Sequence, residues 1–324
     1  MRVFVIGSGN WGTVLASLFA GKNEVYLWTI NEEEAELIRR THESPSLPGF
    51  KIPLSITIEK KFTQAVQPDD IVIVAIPSRK MEELVIEFKN TGNHNFIFVN
   101  ASKGVEHTTL RTNYETVRMH LPEVRFANLS GPTIARELAE GLPAKAVLAS
   151  SDVSLLLHLQ EILDNELLKF DFSRDVVGSE LAAAMKGLIA IGVGISDGLG
   201  FKTNIFGLII TYGLREFETV MKFLKVPTQT VYGIAGIGDL ITTCISENSR
   251  NRTFGKYLAQ GYKLEEALKE VGMEVEGVSM AKTIRRMAQF NLSIPLVSCL
   301  TKIIFDGVED IRKELLETLN NISG

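Results

Sequence analysis

Short, nearly continuous apolar runs alternate with helical stretches through the first half of the chain: RVFVI at 2–6, EVYLW at 24–28, DIVIVAI at 70–76, NFIFVNA at 95–101, VRFANLS at 124–130 and AKAVLA at 144–149. Runs of this length and composition predict strands, and apolar strands joined by helices predict a parallel-rich sheet covered on both faces. LKFDFS at 168–173 adds a last strand. From about Val177 the strand pattern fades, and helical periodicity broken by glycine turns predicts helices over 178–197, 203–224, 227–235, 253–260, 264–270, 278–290 and 308–320. The change divides the chain into an N-terminal α/β domain over 1–175 and an all-α C-terminal domain over 176–324.

One helical stretch breaks its own pattern. In LAAAMKGLIAIGVGI, Leu181 to Ile195, Lys186 is the only residue with a polar or charged side chain, and Ala182, Ala183, Ile189 and Ala190 stand three and four positions away. A helix apolar all round belongs in a core. Lysine is rarely buried there without a partner, so Lys186 either snorkels to water along its stem or has a chemical task.

Composition narrows the classes. The chain has 324 residues, 45% hydrophobic and 23% charged, the make-up of a soluble globular protein with room for two cores. A net charge of -5 gives no general attraction to nucleic acid or anionic membrane, so any basic site is local. No uncharged apolar stretch reaches the 18 or so residues of a membrane span, and the polar break at Gly7 to Asn10 argues against a signal peptide, so a cytoplasmic protein is expected. Cys244 and Cys299 match no metal or redox spacing and are expected as reduced, buried thiols. His42, His94, His107, His120 and His158 are scattered, so no metal is expected.

The first strand runs into GSGNWG, placing Gly7, Gly9 and Gly12 in a G-x-G-x-x-G pattern that opens a helix. In that context the pattern is a Rossmann dinucleotide fingerprint. The first glycine permits the turn, the second lets backbone approach a pyrophosphate, the third lets helix and strand pack closely, and the helix N-terminus faces the phosphates. The second strand ends in WTINEEEAE, with neutral Ile30 and Asn31 at its tip. Asn31 as N-cap, followed by an acidic first turn, accounts for Glu32 to Glu34 and leaves the choice between NAD and NADP open. Lys103 in NASKGVE and the Gly131-Pro132-Thr133 turn end later strands, where ligands of open α/β sheets sit, and Pro132 suits a first helical position. In the helical half, Asp239 after a glycine turn reads as an N-cap, while Ser249, Arg250, Asn251, Arg252 and Lys256 form a local basic cluster suited to a phosphate group.

Taken in order, GSGNWGTVLA, AIPS, NASKGVE, SGPTIAREL, GLPAKAVLAS, AMKGLIAIGVGISDGLG, GIGDL, SRNRTFG and VEG resemble bacterial NAD(P)-dependent glycerol-3-phosphate dehydrogenases over nearly the full length. The resemblance implies a Rossmann domain followed by a helical substrate-binding domain and commonly a homodimer. It also implies NAD(H) or NADP(H) as cofactor without a metal, and reversible reduction of dihydroxyacetone phosphate to sn-glycerol 3-phosphate for phospholipid synthesis. By the same resemblance Lys186 is the proton acceptor. Lys103, Gly131, Thr133, Asp239, Ser249, Arg250 and Asn251 match substrate positions, and Asn10, Trp11, Ala135, Arg250 and Glu276 match cofactor positions beside the glycines and Lys103. In that role burial would lower the Lys186 pKa toward about 7–8, Lys103 or Arg250 would lower it further, and Asp239 would raise it.

Two positions depart from the family pattern: Gly187 stands where asparagine usually follows the lysine, and Tyr212 where arginine is usual. A β-hydroxyacid dehydrogenase of the 6-phosphogluconate type is an alternative, but it would place asparagine where this chain has Ala190. A non-catalytic nicotinamide sensor is a second alternative, motivated by Gly187 and Tyr212 and opposed by the retention of Lys186, Asp239 and Arg250.

Overall fold

A computed structural model describes residues 1–59, 62–105, 111–287, 290 and 292–322; His107 and positions 288 and 289 of the helix expected over 278–290 lie outside the described residues. The chain forms two compact units, Met1–Ser102 with Arg111–Val176, and Lys103–Leu110 with Val177–Gly324.

The first unit is built on an eight-stranded sheet of β1 (Arg2–Ile6), β2 (Glu24–Trp28), β3 (Thr57–Ile58), β4 (Ile71–Val74), β5 (Ile97–Asn100), β6 (Arg125–Ser130), β7 (Ala144–Ala149) and β8 (Leu168–Ser173). The strand order is β3-β2-β1-β4-β5-β6-β7-β8. Neighbours pair in parallel except β6 and β7, where Leu129 faces Leu148 antiparallel. Val5 sits between Leu27 of β2 and Ile73 of β4, so the strand order reverses at β1 and β4. That reversal opens the crevice in which doubly wound sheets take ligands. β3, two residues long, is too short for periodicity to announce.

Helices α1 (Asn10–Phe19), α2 (Glu32–Thr41), α3 (Phe62–Ala65), α4 (Met81–Thr91), α5 (Asn113–His120), α6 (Ala135–Ala139) and α7 (Val153–Leu163) complete this unit. Alternation along the strands sends Val3, Val5, Ile71, Ile73, Ile97 and Val99 into one core with Leu15, Phe19, Leu155 and Leu159 of the helices. The opposite face carries Phe98 and Phe126, stacked at 5.7 Å between ring centroids. Both sheet faces are therefore dry, the reason the strands read as continuous apolar runs.

The second unit is helical: α8 (Val176–Gly198), α9 (Thr203–Phe223), α10 (Asp239–Ile245), α11 (Arg250–Ala259), α12 (Leu264–Val271), α13 (Glu276–Met287), α14 (Pro295–Phe305) and α15 (Ile311–Asn321). The helix expected over 227–235 is instead a 3₁₀ turn at Gln229–Tyr232 followed by a π turn at Ile234–Gly238. Gly233, Gly236 and Gly238 explain the change: a Cβ at Gly236 would stand 2.2 Å from the Val231 carbonyl oxygen, so tight turns replace a regular helix. Periodicity predicts neither α10 nor α14; the reading of Asp239 as an N-cap marks a start at α10, but its seven residues are too few to establish a period. The second begins with Pro295 in its first turn, a start signal. α8 is the one described helix long and apolar enough to cross a membrane, and 94% of its apolar window is buried within the protein. It is the core helix of this unit.

A buried carboxylate ties α14 to α9. Glu216, 5% exposed, accepts hydrogen bonds from the backbone N–H groups of Leu296 and Val297, both at 2.8 Å. These donors have no partner within their own helix. Burial pushes the Glu216 carboxyl up to about 7, against the pull of the two hydrogen bonds. Its folded proton affinity therefore exceeds that of the unfolded chain, with an ordinary value of 4.5, and folding takes up a proton between those limits. The Glu216 contribution to stability is full below pH 4.5 and declines as pH rises through about 7. Urea titrations across this range should show a falling unfolding free energy that Glu216→Gln flattens; equal slopes in both proteins would refute the assignment.

Candidate active site

In the first unit the β1–α1 turn is shaped by two close approaches. Gly7 has φ +114°, and a Cβ there would lie 2.5 Å from the Ala75 carbonyl oxygen. A Cβ at Gly12 would lie 1.9 Å from the Gly7 oxygen. Gly9, by contrast, has no atom of the described residues within 4 Å of where a Cβ would stand. α1 starts at Asn10 without a side-chain cap and without an acid in its first turn, so its first N–H groups and positive dipole end remain available. Asn10 Oδ1 and Trp11 Nε1 are buried polar atoms with no hydrogen-bond partner among the described residues. Room, free donors and unpartnered polar atoms at a strand reversal are the features a pyrophosphate-bearing ligand uses.

Trp11 and Ala135 both pack on the small cluster of Val14, Leu47 and Leu138, so two further predicted cofactor positions share one patch. At the end of β6, Thr133 Oγ1 donates to the Gly131 carbonyl oxygen at 3.2 Å, and the buried Ser130 Oγ has no partner among the described residues. Pro132 is not a first helical position: α6 begins three residues later, with Ile134 as its N-cap. Asn31 does cap α2, accepting from the N–H groups of Glu33 and Glu34.

In the second unit Lys186, Lys103 and Asp239 meet. Lys186, 5% exposed, pairs through Nζ with Asp239 Oδ1, and Lys103 Nζ donates to Asp239 Oδ2 at 3.2 Å. Asp239 is 2% exposed and is the first residue of α10, not its N-cap; that place belongs to Gly238. Its carboxylate is directed to the two ammonium groups, which answers how Lys186 can sit in an apolar helix. Burial pushes the Lys186 pKa down to about 8; Asp239 opposes the shift and Lys103 adds to it. Burial works against the Lys103 charge as well, but Asp239, the hydrogen bond with Lys186 and Glu276 outweigh it and hold Lys103 above its ordinary value. Lys186 is thus the ammonium that gives up its proton first.

The basic cluster divides. Arg252 donates to Asp197 Oδ2 at 2.8 Å and to the Ile245 carbonyl oxygen, and Lys256 pairs with Asp197 at 2.8 Å. These two cations hold α11 to α8, so they are framework and not free phosphate ligands. Burial raises the Asp197 pKa, but the bonds from Lys256 and Arg252 prevail and keep it below the usual carboxylate range. Ser249 Oγ caps α11 by accepting from Arg252 N at 3.3 Å. Asn251 Oδ1 accepts from Gly277 N at 2.9 Å, fixing the amide beside the start of α13 and Glu276. Arg250 is exposed, with no ion pair among the described residues. Cys244, in the same core, is buried and its thiol is pushed up to about 12, so it carries no thiolate chemistry.

Sequence reasoning missed Gly277. A Cβ on Gly187 would lie 2.9 Å from Gly277 N and 3.0 Å from its Cα, so α8 and α13 touch through two glycines next to Lys186. The signal was present as one glycine within a helical pattern, Gly187, and another, Gly277, directly before the next. The departure at Gly187 is therefore matched by backbone that occupies the space beside it. Tyr212 packs against the hydrophobic core of the same unit.

Comparison with known proteins gives a consistent result. The family model of the N-terminus of NAD-dependent glycerol-3-phosphate dehydrogenase matches residues 2–156, and that of the C-terminus matches residues 175–313. The chain is 37% identical over 309 residues to glycerol-3-phosphate dehydrogenase (NAD(P)+) of Thermoanaerobacter sp. (strain X514), covering 95% of this chain and 93% of that protein. It is 36% identical over 313 residues to the Chlorobium phaeobacteroides (strain BS1) protein of the same name, covering 95% and 94%. The crystal structure of glycerol-3-phosphate dehydrogenase from Coxiella burnetii superposes with a TM-score of 0.92 at 28% identity, covering 99% of both chains.

The glycine contact yields a direct expectation. Gly187→Ala forces backbone of α13 to move and should lower the unfolding free energy by about 1–3 kcal/mol, read by urea denaturation. An unchanged stability would show that the two helices do not depend on this approach.

Proposed function

This chain belongs to the NAD-dependent glycerol-3-phosphate dehydrogenase family, and we propose that it interconverts dihydroxyacetone phosphate and sn-glycerol 3-phosphate with NADH or NADPH, Lys186 handling the proton. The observation that carries the reading is the sharing of one buried carboxylate, Asp239, by two ammonium groups. One carboxylate cannot neutralise both, so the cluster keeps a positive charge facing whatever oxygen binds there. Buried at low dielectric, that charge acts far more strongly than it would in water.

In the reductive direction Lys186 Nζ gives its proton to the oxygen that becomes the secondary hydroxyl; in the oxidative direction neutral Nζ takes it back. Bound reduced nicotinamide supplies the hydride. Asp239 orients the Lys186 ammonium and favours its charged form, while burial, with Lys103 adding to it, brings the pKa to about 8, within reach of both directions near neutrality. Ser249, Arg250 and Asn251 are proposed to hold the substrate phosphate, with Gly131 and Thr133 as further substrate contacts. Arg250 supplies the bidentate donor set suited to that group. Gly7, Gly9, Asn10, Trp11, Gly12, Lys103, Ala135, Arg250 and Glu276 are proposed to hold the dinucleotide. Residues 1–175 would then serve cofactor binding and residues 176–324 substrate binding. Cytoplasmic location, a homodimer and supply of glycerol 3-phosphate for phospholipid synthesis follow from the family resemblance.

Two experiments test this. Purified protein should oxidise NADH or NADPH when given dihydroxyacetone phosphate, and Lys186→Met, which keeps the side-chain volume, should lose about 10²–10⁴-fold in kcat while still binding cofactor. Cofactor binding without turnover in the parent would instead favour the sensor reading. The pH profile gives an independent check. Because reduction needs protonated Lys186, its rate should fall above about pH 8 while the rate of glycerol 3-phosphate oxidation rises. The opposite trends would remove Lys186 from the proton transfer.

A further inference from the structure

The tip of β2 lacks the acid that commonly reads the adenosine ribose of NAD, yet the fold returns one to that place from a neighbouring helix. Glu34, in the first turn of α2, turns its carboxylate onto the glycine loop. Its Oε1 accepts from Ser8 Oγ at 2.8 Å, Ser8 being the residue between Gly7 and Gly9. Its Oε2 accepts from Thr29 Oγ1 at 3.2 Å, at the end of β2. The loop side of this clamp is itself fixed: Ser8 is 5% exposed, and its carbonyl oxygen accepts from Thr13 Oγ1 at 2.9 Å and Ser46 Oγ at 3.1 Å. A carboxylate is thus held by the residues that end β1 and β2, on the side of the sheet where a dinucleotide places its ribose.

Resting on the dinucleotide reading above, we propose that Glu34 makes this site selective for NAD(H) over NADP(H). A carboxylate offers about four acceptor positions, and the two hydroxyls occupy two of them. The remainder suits a ribose 2'-hydroxyl, which donates, and opposes a 2'-phosphate, which brings only acceptors and added negative charge. Among the described residues, the glycine loop, β2 and the first turn of α2 bring no basic side chain that reverses that preference. Between Gly7 and Arg39 the only basic residue is Lys22, which donates to the Asp164 carbonyl oxygen. Arg39, in the last turn of α2, is taken by Glu32 and Glu36. Ile30, 76% exposed, and Asn31 bring no positive charge at the tip of β2, where a phosphate-binding site would place a basic side chain.

The test is binding of NADH and of NADPH to the full chain without substrate, read by quenching of tryptophan emission and by calorimetry. The expected result is that NADH binds about tenfold or more tightly than NADPH, and that Glu34→Gln narrows the ratio at least about threefold, chiefly by improving NADPH. Equal affinities in the parent, or an unchanged ratio in Glu34→Gln, would overturn the proposal. The second of those outcomes would assign Glu34 to clamping the loop alone. Failure of both ligands to bind would overturn the dinucleotide reading and the selectivity with it.

Discussion

Burying charge is the constraint around which the helical unit is organised. Lys186 lies in a helix whose other residues from Leu181 to Ile195 are apolar, and an unpaired ammonium there would cost several kcal/mol in lost hydration. Asp239 meets that cost only because a glycine-rich π turn at Ile234–Gly238 starts α10 at the right place and presents the carboxylate to α8. Lys103 then adds a second cation to the same carboxylate, which leaves Lys186 easier to deprotonate than an isolated buried pair would be. One carboxylate with two ammonium groups is therefore both a solution to burial and a device for setting a proton affinity.

The same economy of space governs the backbone around that cluster. α8 approaches α13 at Gly187 and Gly277, and it approaches α11 where a Cβ on Gly194 would lie 2.0 Å from the Arg252 carbonyl oxygen. Small residues at these crossings let three helices converge on the Lys186 segment without voids. In the α/β unit, Gly7 and Gly12 do the equivalent for β1, α1 and the backbone at Ala75, just past the end of β4. In each unit, the proposed site residues stand where glycine lets backbone pack unusually close.

Most of the fold was legible because its periodicities are strong. β1, β2, β7 and β8 match the apolar runs residue for residue, and α8 and α9 match theirs to within two residues. What escaped were elements too short to establish a period, such as β3 and α10, and α14, where Pro295 marks a start that the pattern alone did not claim. The lone lysine flagged a site, but its partner did not flag itself. Asp239 looked like a helix cap, and only the three-dimensional fold shows its carboxylate spent on Lys103 and Lys186. Likewise the basic run from Ser249 to Lys256 reads as one cluster, whereas the helix turns Arg252 and Lys256 toward Asp197 and leaves Arg250 exposed. Glu34 was visible only as part of an acidic first turn, because a contact across 26 residues with Ser8 leaves no local signal.

The most direct measurement is the titration of Lys186 itself, followed by 15N NMR of the lysine ammonium groups and assigned with Lys186→Met. If the buried cluster tunes this residue, Nζ titrates near 8, well below the ordinary 10.5, and Asp239→Asn lowers the midpoint further by removing the anion that favours the charged form. A midpoint at or above 10.5 would mean that Asp239 dominates over burial and Lys103, leaving Lys186 a structural cation and the proton transfer without its carrier.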